Sequence, residues 1–218
     1  LTIRFRELVK NISRKTESQV VVLIDEYDAP LLTVVHDSER LEPMRTLLQS
    51  FYSPLKKLDQ YLRFVFITGI SKFSQLSIFS QLNNLNNISM LPQYAGICGI
   101  TERELKDNFQ EGVAELGKAN NMTTDEVLAK LKLKYDGYCF AEESEGVYNP
   151  FSLLSAMQNK KLGNYWFSTG TPTFLVNMMK KFHADLTQID GSEAAPEEFD
   201  APTEDMQSIL PLFYQSGY

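Results

Sequence analysis

Three acidic residues, Asp25, Glu26 and Asp28, fall within four positions directly after the aliphatic run Val20-Val21-Val22-Leu23-Ile24. Carboxylate oxygens are the hard ligands magnesium prefers, one or two at a time, alongside phosphate oxygens. An acid at the tip of a rigid strand can hold such an ion, and a neighbouring glutamate can polarise a water for attack on a phosphoryl group. On this reading Asp25 is the magnesium residue, directly or through water, and Glu26 is the base. Thr68 closes a second apolar run and brings a hydroxyl able to sense a γ-phosphate. Asp28 is expected to cap the turn that follows. The plainer alternative is that a parallel-sheet protein simply ends a strand on an acid to cap its next helix. One ion held by all three carboxylates is disfavoured, because alternate strand residues face opposite sides.

These roles need stiff footing, and the flanking pattern supplies it. A strand is expected over residues 19–25, whose apolar run 20–24 shows no alternation, as a strand covered on both faces in a parallel sheet requires. Residues 62–71 predict a second strand, ending at Thr68-Gly69. Between them a helix is expected over 43–52, with a continuation opened by Ser53-Pro54, where proline suits the first helical position. Strand, helix and strand form a βαβ unit, which delivers both polar tips to one carboxyl edge, where open α/β sheets bind ligands. Ahead of it, Ile3, Phe5, Leu8, Val9 and Ile12 mark one helical stripe.

From Ile88 the texture becomes mostly helical. Residues 88–92 suit a short strand. Thr101-x-x-Glu104 and Thr123-x-x-Glu126 match capping boxes, predicting helices to about 116 and 134. Residues 135–150 read as a turn and hairpin, with Asp136-Gly137 a turn over packed aromatics rather than a ligand site. Further helices are expected from Asn149-Pro150, from Thr171-Pro172 and over 205–214, with an acidic loop at 185–205. Asn164-Tyr165-Trp166-Phe167 is expected to be an apolar anchor. The expected division is 1–98, carrying the α/β core, and 99–218, a helical domain with a small hairpin.

Composition narrows the function. Net charge is −7 and the basic residues are scattered, so no direct nucleic-acid grip is expected. Two cysteines and two histidines make no structural zinc pattern, and sparse cysteine fits a reducing cytoplasm. No apolar run approaches the roughly 20 residues of a membrane span. The phosphate-cradling pattern G-x-x-x-x-G-K-[ST] has one near-match, Gly112 to Ala119, which lacks the final hydroxyl and lies in a helical pattern. It is read as coincidence.

The segments VVVLIDEYDAPL, FVFITGISKFSQLSIFSQLNNL, KYDGYCF, VYNPFSLLSAM, GNYWFSTGTPTFLV and PLFYQSGY together resemble the bacterial AAA-ATPase-like family. Its members commonly end in a PD-(D/E)XK nuclease-like domain. The resemblance implies an α/β fold: a partial P-loop NTPase (AAA/STAND-like) parallel sheet, then a mostly helical part for which a winged-helix-like arrangement is one option. It implies ATP and magnesium as ligands, Asp25 and Glu26 as the Walker B pair, and Thr68 at the sensor position. It also implies a nuclease-like domain in the same polypeptide and a homo-oligomer as potential partners. The chain opens at Leu1 inside a helical pattern, so it is expected to be a fragment without its Walker A segment. One edge of strand 63–67 should then be open or covered by another chain. The competing function is a non-catalytic interaction scaffold built on a degenerate ATPase core.

Overall fold

A computed structural model describes residues 1–34, 37–69, 78–79, 82, 84–142, 144–165, 171–184, 191–195, 198–199 and 207–215. The expected acidic loop falls largely outside these residues, as do His36, Ile70, Ser71, Trp166, Phe167 and the start of the helix expected at 205. The chain divides into two compact units: Leu1–Asn86 with Glu193–Ser208, and Asn87–Ser192 with Ile209–Tyr218.

The first unit contains α1 (Thr2–Thr16), β1 (Val20–Ile24), α2 (Ala29–Val34), α3 (Ser38–Tyr52), α4 (Pro54–Lys57) and β2 (Leu62–Ile67). Helix α3 begins earlier than its apolar pattern suggests. Asp37 caps it, its carboxylate accepting the N–H groups of Glu39 and Arg40 at 3.2 Å each. Pro54 occupies the first turn of α4, as the Ser-Pro step predicts.

Strands β1 and β2 pair in parallel, Val22 opposite Val65 and Ile24 opposite Ile67. The register shifts between Val20 and Val21, so Val20 faces Leu62 while Val21 faces Phe64 and Arg63 is passed over. That irregularity lets Leu62 and Phe64, two residues apart, differ in environment, one buried and the other 54% exposed. The inner face, Val20, Val22, Ile24, Val65 and Ile67, packs on a core built from Val9, Leu48, Tyr52, Leu55 and Leu58.

The other face corrects the expectation of a strand covered on both sides. Val21 is 50% and Leu23 69% exposed, and Phe64 stacks on Phe66 beside them. An unbroken apolar run marks residues able to be buried, but the burial itself requires an element to lie on each face. Helix α1 shows the same departure. Val9 is buried and Phe5 partly so, whereas Ile3, Leu8 and Ile12 of the expected stripe are exposed. Among the described residues β2 has β1 as its one strand partner.

The second unit is helical: α5 (Glu102–Asn108), α6 (Gln110–Asn120), α7 (Thr124–Tyr135), α8 (Pro150–Gln158), α9 (Thr171–Phe182) and α10 (Leu210–Gln215). Both capping boxes form. Thr101 and Thr123 accept the N–H of the glutamate three residues on, and Glu104 and Glu126 accept the cap N–H in return. The helix expected from Thr101 to about 116 is interrupted at Phe109 and resumes as α6. Residues 88–92 form turns rather than a strand. The expected hairpin is reduced to a single antiparallel bridge, Tyr138 with Val147, while Tyr148 bridges to Ile100 outside it. Leu105, Val113, Leu116, Val127, Leu131 and Leu153 form this unit's core.

Candidate functional site

The parallel register explains what meets at the carboxyl edge. Ile24 opposes Ile67, so one step further Asp25 stands opposite Thr68, on the parity of the exposed face. The Thr68 N–H donates to the Ile24 carbonyl at 2.8 Å, and the Tyr27 N–H donates to the Thr68 carbonyl at 2.9 Å. Thr68 is thereby clasped by the 24–27 turn through both of its backbone polar groups. Its hydroxyl donates to Asp25 Oδ1, which also accepts the Glu26 N–H at 3.1 Å. Among the described residues no donor reaches Asp25 Oδ2.

Glu26 has a left-handed backbone, φ 50°, a conformation that costs a non-glycine residue about 1 kcal/mol or more and persists only where surroundings enforce it. The clasp supplies that enforcement, since Ile24 and Tyr27 are both tied to Thr68. Both Asp25 and Glu26 are exposed. Among the described residues the Glu26 carboxylate makes no hydrogen bond or ion pair.

Asp28 goes elsewhere. It is fully buried, and its backbone carbonyl accepts the N–H groups of Leu31 and Leu32, which places it at the entrance of α2. Its environment is aromatic and close. Tyr27 is 2% exposed and lies 4.8 Å, ring to ring, from Phe79. Burial above all, then the Asp28 carboxylate and Tyr52, pushes the Tyr27 hydroxyl far above its ordinary range; burial and Asp28 raise Tyr52 as well. The three acids of the opening motif therefore split into an exposed pair and one core residue.

Gly69 is the participant that spacing did not single out. A β-carbon there would stand 2.2 Å from Tyr27 Cε1 and 2.8 Å from Asp28 Oδ1. The tip of β2 thus lies directly on the Tyr27 ring and the buried carboxylate. The available signal was a glycine immediately after a strand-ending threonine, where close backbone approach excludes a side chain.

The other candidates resolve as packing. Tyr135 is buried, and its hydroxyl donates to the Gly163 carbonyl at 2.7 Å while accepting the Gly163 N–H at 3.0 Å. The Tyr138 hydroxyl accepts from Asn149 Nδ2, and Asp136 Oδ1 accepts the Gly137 N–H. Asn164 accepts from Lys134, and the Tyr165 hydroxyl donates to Lys161. The near-match to a phosphate loop lies inside α6, a helix rather than a loop after a strand. Its glycines serve contacts: added β-carbons would stand 2.9 Å from Met157 Sδ at Gly112 and 2.8 Å from the Met122 carbonyl at Gly117. Among the described residues no group of three or more His, Cys, Asp or Glu could hold a metal, and no helix is long and apolar enough to cross a membrane.

Residues 1–79 match the model of the AAA-ATPase-like family, described as "Predicted AAA-ATPase". A relative from Azotobacter chroococcum mcd 1, "Uncharacterized protein in vnfD 5'region", is 36% identical over 218 residues, 99% of this chain and 39% of that protein. The chain thus spans about two fifths of its relative's length. No solved structure matches it.

Proposed function

We propose, with the family match over residues 1–79 as the premise, that this chain is the Walker B-containing part of a bacterial AAA-like ATPase that binds and hydrolyses ATP with magnesium. In this reading the phosphate-cradling loop comes from outside residues 1–218. Hydrolysis would be coupled to a nuclease-like effector domain of the same longer polypeptide, in the cytoplasm. The supporting observation is the tip of the parallel pair, where Asp25 and Thr68 are hydrogen-bonded across the strands and Glu26 stands beside them with no partner among the described residues.

The residues fit magnesium. Asp25 is exposed and carboxylate in type, with no donor on Oδ2 among the described residues, matching the oxygen ligation that ion takes. When bound, the ion would neutralise charge on the phosphate oxygens. Asp25 holds it, directly or through water. Glu26 accepts the proton of the attacking water, and its exposed carboxylate, unpartnered among the described residues, is available as a base. Thr68 sits where the resemblance puts a sensor, with its hydroxyl donating to Asp25. Asp28, locked in the core, has no part in the chemistry.

The full-length protein should hydrolyse ATP with magnesium, and Glu26→Gln should stop turnover while leaving Mg·ATP binding intact. Hydrolysis by Glu26→Gln at the wild-type rate would remove the assigned role. One observation favours the non-catalytic scaffold instead: the apolar sheet face left open at Val21, Leu23 and Phe64. Calorimetry on the full-length protein separates the two readings, because a scaffold gives no heat with Mg·ATP.

A further inference from the structure

We infer that Thr68 is a positioning residue for Asp25, setting the affinity for the divalent ion rather than contacting the γ-phosphate. This deepens the reading above and rests on it for the role of Asp25. A threonine hydroxyl carries one proton and can donate to one acceptor at a time. Here that proton goes to Asp25 Oδ1. The same oxygen also takes the Glu26 N–H, so two donors fix the carboxylate plane and leave Oδ2, which no donor reaches among the described residues, as its coordinating atom.

Backbone geometry makes this arrangement a built one. The Thr68 N–H and carbonyl are both committed to the 24–27 turn, at 2.8 and 2.9 Å. The next residue, Gly69, rests on Tyr27 and Asp28 with no room for even a methyl group. Strand register then puts the Thr68 side chain on the same side of the ladder as Asp25. With its backbone pinned on three sides, the hydroxyl can turn toward a phosphate only by giving up Asp25. Hydrogen bonds of this kind to a ligating carboxylate orient it, and their loss typically weakens metal binding 10–100-fold.

The distinction is experimental. Mn²⁺ serves as the probe, titrated into the full-length protein with ATP and followed by electron paramagnetic resonance of the free ion. Thr68→Val keeps the shape and removes the donor, and Thr68→Ser restores it. Positioning predicts that Thr68→Val needs about 10–100-fold more Mn²⁺ for half-saturation, with metal-free ATP binding unchanged and Thr68→Ser close to wild type. An unchanged Mn²⁺ requirement with slowed turnover would assign Thr68 to the phosphate and overturn the inference. Equal loss of metal-free ATP binding in Thr68→Val would overturn it too, showing a collapsed strand tip. If wild-type protein binds ATP with no dependence on Mn²⁺, the role of Asp25 itself falls, a result obtained before any variant is compared.

Discussion

Gly69→Ala tests the close approach on which the strand tip is built. An added methyl carbon would lie 2.2 Å from Tyr27 Cε1, about 1.2 Å inside the 3.4 Å at which ordinary contacts begin. The ring has little room to retreat, being 2% exposed and set against Phe79. Nor can the backbone slide freely, since the Tyr27 N–H and the Thr68 carbonyl are bonded to each other. Overpacking of this kind costs about 1–3 kcal/mol, and pinning on both sides puts Gly69→Ala in the upper half, at about 2–3 kcal/mol. Urea unfolding measures it as a lowered midpoint at unchanged slope. In a Tyr27→Leu background the struck ring atoms are gone, so the penalty of Gly69→Ala should shrink by about 1 kcal/mol or more. A penalty below about 0.5 kcal/mol in the wild-type background would show that the tip does not rest on the ring, and the clasp argument would go with it.

Two further outcomes follow from the second unit. Ser152 is fully buried and its hydroxyl has no hydrogen-bond partner among the described residues, while its N–H is capped by Asn149 at 2.8 Å. Ser152→Ala should therefore raise stability by about 0.5–1.5 kcal/mol, removing an unpaired group and adding helix propensity; a loss of stability in urea would contradict this. Glu102 accepts from Lys106 at 2.6 Å and Lys132 at 2.8 Å, and these hydrogen bonds hold its carboxyl down to about 2 from an ordinary 4.5. A depressed folded-state value means a contribution present above about pH 4.5 and lost as pH falls from there toward 2. The melting-temperature gap between wild type and Glu102→Gln should close over that window and narrow in high salt; a gap independent of pH would refute it.

Much of the scaffold was legible because local chemistry decided it. The runs VVVLI and FVFI, the two Thr-x-x-Glu boxes and the Asn149-Pro150 step each form where their residue types dictate. The early start of α3 at Asp37 and the interruption at Phe109 were missed because apolar periodicity marks buried faces, whereas caps and breaks are set by single residues. Adjacency of Asp25 and Thr68 at one sheet edge was readable from two strands ending in polar residues. Their direct hydrogen bond was not, since it depends on a register that shifts at Val20 and Val21. Asp28 stood apart in the string DEYD as the expected cap of the next turn; its full burial was not legible there, because it follows from the turn at Glu26, with its positive φ.

The uncovered side of β1 and β2 also bears on how copies of the chain behave toward one another. Val21, Leu23 and Phe64 make an adhesive stripe, and what opposes adhesion is the mutual repulsion of molecules carrying a net charge of −7. Salt weakens that repulsion without weakening the stripe, because the screening length falls to roughly 3 Å at 1 M. Clarity in dilute buffer and turbidity in brine are the colloidal signature expected of this ribbon.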